Sequence, residues 1–102
     1  MNTILLDFSK IRSMYNLHAY LKDVFKLPDY YGFNMDALWD CLQCSFEDET
    51  TIILKGLDLL PEDMQYAVPV LISVFEDLKK VGDIADYIVV NGHNTDVSAY
   101  LI

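Results

Sequence analysis

Apolar positions along the chain change period several times, and each change marks an element. Ile4, Leu5 and Leu6 form a continuous apolar run within Thr3 to Phe8, which predicts a short strand buried on both faces. Ser13 then offers a helix N-cap, and Met14, Leu17, Leu21, Val24 and Phe25 share one helical face. Leu27-Pro28 ends that helix, because the residue before a proline disfavours helical backbone. Pro28 to Gly32 reads as a loop. From Asn34 the helical period returns, with Met35, Leu38 and Leu42 at i, i+3 and i+7, and predicts a helix from Asn34 to about Phe46. An acidic turn follows at Glu47-Asp48-Glu49. Thr50 to Leu54, short and rich in β-branched residues, predicts a second buried strand that Gly56 breaks. Leu57 to Leu60 is a short apolar connector. Pro61 opens a helical region that Pro69 interrupts, so two helices are expected, over about 61–67 and 69–80. Lys79 and Lys80 complement the dipole of the second, and Gly82 ends it. Ile84 to Asn91 finishes in a buried-strand run, Ile88 to Val90, before the Asn91-Gly92 turn.

Strands separated by helices imply a parallel sheet with helical crossovers, an α/β fold. A chain of 102 residues, 53% hydrophobic, is one domain able to build a core without disulfides or metal. The core is expected over about residues 3–91, with 92–102 an apolar extension. The net charge of −9 argues against nucleic-acid binding, which needs a basic face, and suits a basic protein partner. The acids cluster: Asp29, Asp36, Asp40, Glu47 and Asp48 lie in a stretch with no Lys or Arg. No apolar run is long enough for a membrane helix, and MNTILLDFSK has neither the positive leading region nor the cleavage site of a signal peptide. Free thiols and no leader fit the cytoplasm. The protein is expected to be monomeric when free.

Candidate chemistry centres on residues 34–42. At 100° per residue Asp36 and Asp40 fall about 40° apart, on the far side of the helix from Met35, Leu38 and Leu42. Paired carboxylates can be a solvated face, a binding face or an acid/base pair. Catalysis wants an enclosed site, which two acids on an outward helix face do not supply. No catalytic residue, metal or cofactor is expected. Cys41 and Cys44 form a Cys-x-x-Cys, which can be a redox or zinc motif. They lie past the middle of the helix, where its dipole does not activate a thiol, and only His18 and His93 are available as further zinc ligands. His18, beside apolar residues, reads as a packing residue. Tyr15, Tyr20 and Tyr66 are expected to line core edges.

The run LPDYYGFNMDALWDCL strongly resembles the signature of the barstar family, small intracellular ribonuclease inhibitors. Its matching residues are Leu27, Pro28, Tyr30, Tyr31, Gly32, Asn34, Asp36, Ala37, Leu38, Trp39, Asp40, Cys41 and Leu42. The resemblance implies a three-stranded parallel sheet covered by about four helices. It implies an inhibitor or immunity protein, not an enzyme, that blocks the active site of a basic, barnase-like ribonuclease or a related nuclease toxin. Tyr30, Tyr31, Gly32, Asn34, Asp36, Trp39, Asp40 and Gln43 are the implied partner-binding residues, with Asp40 as the central phosphate mimic and Tyr30, Tyr31 and Trp39 as aromatic anchors. Aligning Val74-Phe75 adds Asp77 on the last helix, with Glu76 as the fallback. Phe33 departs from the polar or acidic residue expected there, and Gln43, Cys44 and Ser45 also differ, which bears on the partner's identity. The alternatives are a barstar-like protein with a non-ribonuclease partner, and a small redox or metal domain using Cys41 and Cys44.

Overall fold

A computed structural model describes residues 2–43 and 45–92. Strand β1 (Asn2–Asp7) leads into helix α1 (Met14–Phe25), helix α2 (Met35–Leu42) and strand β2 (Thr50–Lys55). Two 3-10 turns, Leu57–Leu59 and Glu62–Met64, precede helix α3 (Ala67–Lys80) and strand β3 (Asp86–Val90). The three strands form one parallel sheet in the order β1-β2-β3. The α/β class and the three parallel strands agree with the sequence, whereas the described residues form three α-helices, not the expected four.

The expected helix over 61–67 is instead the 3-10 turn Glu62–Met64, and α3 starts before Pro69 rather than at it. One cause explains both. A proline ring clashes with the carbonyl four residues earlier, here Gln65, so no α-helix can run continuously through Gln65 to Pro69. Within the first turn of α3, by contrast, the missing proline N–H has no helical partner to lose. The Gln65 amide stitches the connector, donating to the carbonyls of Leu57 (3.2 Å) and Leu60 (3.0 Å). At its other end α3 closes as expected around Gly82. That residue has φ +83°; its N–H bonds Lys79 O, and Asp83 N–H reaches back to Leu78 O.

Helix α2 stops at Leu42, short of Phe46. The Ser45 hydroxyl donates to the Cys41 carbonyl, and Ser45 N–H to the Leu42 carbonyl, so groups beyond the helix take up its terminal acceptors. Phe46 then packs edge-on against Phe25 of α1.

Strand β2, in the middle, is buried on both faces: Ile52, Ile53 and Leu54 are fully enclosed. Ile52 and Leu54, beside Ile4 and Leu6 of β1, belong to the core that the helices close with Leu17, Leu21, Leu38, Leu42, Leu71, Phe75 and Leu78. Leu5, Ile53 and Ile88 line up in register on the opposite face. The outer strands are less enclosed than their apolar runs suggest. Ile4, Leu5 and Ile88 are half-buried and Val89 is 50% exposed, because an edge strand lacks a neighbour on one side. Among the described residues no helix is long and apolar enough to cross a membrane. The expected extension, from His93 onward, lies outside the described residues, as does Cys44.

Candidate functional site: an acidic groove between two helices

Asn34 sets the start of α2. Its side-chain oxygen accepts the Ala37 N–H at 2.8 Å, and its amide donates to the Gly32 carbonyl at 3.1 Å. Gly32 makes room for that amide, since a Cβ there would stand 3.2 Å from it. Asn34 and Gly32 are thus both committed to holding the loop and helix in register. Asp36 falls in the first turn, where the helix dipole favours a carboxylate.

With Leu38 and Leu42 anchoring α2 in the core, Asp36 and Asp40 are exposed on its outer side, as their spacing predicts. They face a groove of about 470 Å³ whose opposite wall is α3. Asp36, Trp39 and Asp40 line it from α2, and Val70, Ser73, Val74 and Asp77 from α3. Of the two α3 acids, Asp77 lines the groove, whereas Glu76 does not. Among the described residues no Lys or Arg lines this groove. Among the described residues ion pairs form at Lys22–Asp29 (3.5 Å) and Lys79–Asp86 (3.0 Å), and neither neutralises Asp36, Asp40 or Asp77. Three carboxylates without a cation make a negative concavity that attracts positive charge. Trp39 is half-buried, and its indole N–H is enclosed with no hydrogen-bond partner among the described residues. An orphan donor of this kind costs about 1–3 kcal/mol, and here the cost falls at the groove wall.

The two tyrosines of the loop part company. Tyr30 is 85% exposed and is available as an anchor, whereas Tyr31 is only 5% exposed. Tyr31, which the resemblance implied as an aromatic anchor, instead turns inward, its hydroxyl 2.5 Å from His18 Nδ1 on α1. Burial lowers the pKa of His18, and burial, with a smaller contribution from Cys41, raises that of Tyr31. Tyr31 therefore stays a phenol hydrogen-bonded to a neutral imidazole, whose tautomer sets which of the two donates. His18 is the packing residue expected, and it holds the loop from beneath.

Phe33 completes this support. Its backbone adopts φ +51°, unusual for a bulky residue, and its ring packs on Tyr15, Tyr31 and His18 at centroid distances of 5.3, 5.3 and 5.9 Å. Gln43 is exposed just beyond α2. Tyr20 lies at the core edge as expected, its hydroxyl accepting the Asp7 N–H at 2.9 Å. Tyr15 and Tyr66 do not, being mostly exposed. Cys41 is half-buried in the last turn of α2 and packs against the core. Among the described residues no group of three or more His, Cys, Asp or Glu is placed to hold a metal ion.

Comparison with known proteins bears directly on this site. The chain is 41% identical over 58 residues to a Bacillus subtilis (strain 168) protein named "Putative ribonuclease inhibitor YrdF"; the match covers 57% of this chain and 64% of that relative, a little under two thirds of its length. The profile of the family described as "Barstar (barnase inhibitor)" matches residues 1–95, nearly the whole chain. On that match, with the parallel three-stranded sheet and the α2 signature, the chain belongs to the barstar family.

Proposed function

We propose that this protein is a non-catalytic inhibitor that binds a basic, barnase-like microbial ribonuclease, or a related nuclease toxin, and closes its active site. The observation that carries this reading is the groove that Asp36, Asp40 and Asp77 line together with no Lys or Arg among the described residues. A ribonuclease cleft holds cations that neutralise the RNA backbone. A carboxylate fixed on a rigid helix can occupy the place of a phosphate oxygen and accept paired bonds from an arginine. Asp40 is the central mimic, Asp36 and Asp77 pair with neighbouring cations, and Tyr30 and Trp39 exclude water around them. Gln43 adds a polar contact at the rim. Tyr31, Gly32 and Asn34 act by holding the loop and α2 in place. Family membership and the name of the B. subtilis relative support the same reading. In this role the protein acts in the cytoplasm as an immunity protein, monomeric until it meets its partner.

A titration tests this. Adding the protein to a panel of small basic microbial ribonucleases, with RNA cleavage as the readout, gives stoichiometric loss of activity for at least one enzyme. If none is inhibited, the ribonuclease reading fails. The second reading, a non-ribonuclease partner for the same face, is then favoured by Phe33, whose apolar ring stands where the family pattern has a polar or acidic side chain.

A further inference from the structure

Helix α3 carries an exposed apolar surface that the acidic groove does not explain. Tyr66, at its N-terminal cap, is 66% exposed and makes no side-chain capping bond. Pro69 and Val70, in the first turn, are also exposed, Val70 by 44%. The core side of α3 is filled separately, by Leu71, Phe75 and Leu78. At 100° per residue Tyr66, Val70, Ser73 and Asp77 lie within a sector of about 60°. Val70, Ser73 and Asp77 already form the α3 wall of the groove, so Tyr66 continues that wall by one helical turn. Scattered exposed apolar residues need no explanation, but these adjoin a concavity lined by three carboxylates.

Size points the same way. Helix α2 has eight residues and is about 12 Å long. A specific protein interface covers roughly 800 Å² on each partner, a patch more than twice as wide. The contact must therefore spread beyond α2, and across the groove it meets α3.

We infer that Tyr66, Pro69 and Val70 form a second, apolar anchor for the same basic protein partner, whose contact runs from α2 across the acidic groove onto the first turn of α3. This rests on the function proposed above and adds a division of labour within it. The carboxylates attract and orient the partner, which governs the association rate and its salt dependence. The apolar anchor excludes water and governs how long the complex lasts.

The test uses the full chain and a basic microbial ribonuclease that the wild type inhibits. Association and dissociation rates are measured at low and high salt for the wild type, for Tyr66→Ala/Val70→Ala and for Val89→Thr, an exposed apolar residue on the sheet. The double variant dissociates about tenfold faster or more, with its association rate, salt dependence and urea midpoint unchanged. Val89→Thr behaves as wild type. Tyr66→Ala alone, at a position with no capping bond, gives a smaller change of the same kind and serves if the double variant is less stable. A double variant that dissociates at the wild-type rate, while Asp40→Ala still weakens binding, overturns this inference and leaves the proposed function standing. If the wild type inhibits no ribonuclease, both fall.

Discussion

Tyr30 and Tyr31 are adjacent in the chain and belong to two different regions of the molecule. Tyr31, with His18 and Phe33, forms an enclosed aromatic support beneath the loop. Tyr30 is exposed, as are Asp36 and Asp40 at the groove. The support satisfies its polar atoms internally: the Tyr31 hydroxyl meets His18, and both ends of the Asn34 amide are bonded. Among the described residues the face leaves its carboxylates without cations and one indole N–H without an acceptor. A rigid support beneath an unsatisfied surface is what a binding face needs, because the groups awaiting a partner are already held in position before it arrives.

Substitutions separate the two regions, the support affecting stability and the face affecting binding. Tyr31→Ala should lower unfolding free energy by about 3–5 kcal/mol in urea titrations, the usual range for deleting a buried aromatic side chain. Tyr31→Phe should cost less, about 1–3 kcal/mol, since it removes only the hydroxyl and leaves His18 Nδ1 without its hydrogen-bond partner. Asn34→Ala should cost about 1 kcal/mol, the typical value of a lost N-cap, with a matching loss of helical signal in circular dichroism.

The support should also respond to pH. Burial lowers the pKa of His18 below its ordinary 6.5, so below that pH the unfolded chain takes up a proton that the folded one resists. Stability contributed by neutral His18 is therefore present above about pH 6.5 and is lost as pH falls from there, with a limiting slope of about 1.4 kcal/mol per pH unit. His18→Asn, which can still hydrogen-bond Tyr31 but does not titrate, should flatten the curve below about pH 6.5. An unchanged slope would mean that another group is responsible. The smallest stability effect belongs to the face. Tyr30→Ala should stay within about 0.5 kcal/mol of wild type, as exposed substitutions do, while weakening partner binding.

The helical half of the site was legible in the sequence. The spacing of Met35, Leu38 and Leu42 dictates which side of α2 is buried, and so directs Asp36 and Asp40 outward. Asp77 was reached only through the pairing of Val74-Phe75 with a family pattern, because spacing within α3 does not say that α2 lies beside it. The division between Tyr30 and Tyr31 was not legible at all: it depends on His18, thirteen residues earlier and brought beneath the loop by the fold. The same limit applies to the sheet. An apolar run such as Ile88 to Val90 predicts a strand, but only the order β1-β2-β3 makes it an edge and exposes Val89. The helix expected over 61–67 failed for a local reason, since Pro69 was read as a start rather than as a residue whose ring excludes helix four positions earlier.

The central claim is that Asp40 acts in binding and not in folding, and one paired measurement on Asp40→Ala tests it most directly. Affinity for an inhibited ribonuclease is measured at equilibrium, and stability by urea unfolding of the same preparation. The account predicts a loss of about 2–5 kcal/mol in binding, the range for truncating one partner of a desolvated charge pair and one drawn in part from the barnase–barstar complex itself, with stability within about 0.5 kcal/mol of wild type. Unchanged affinity, or a loss of affinity that merely follows a loss of stability, would contradict it.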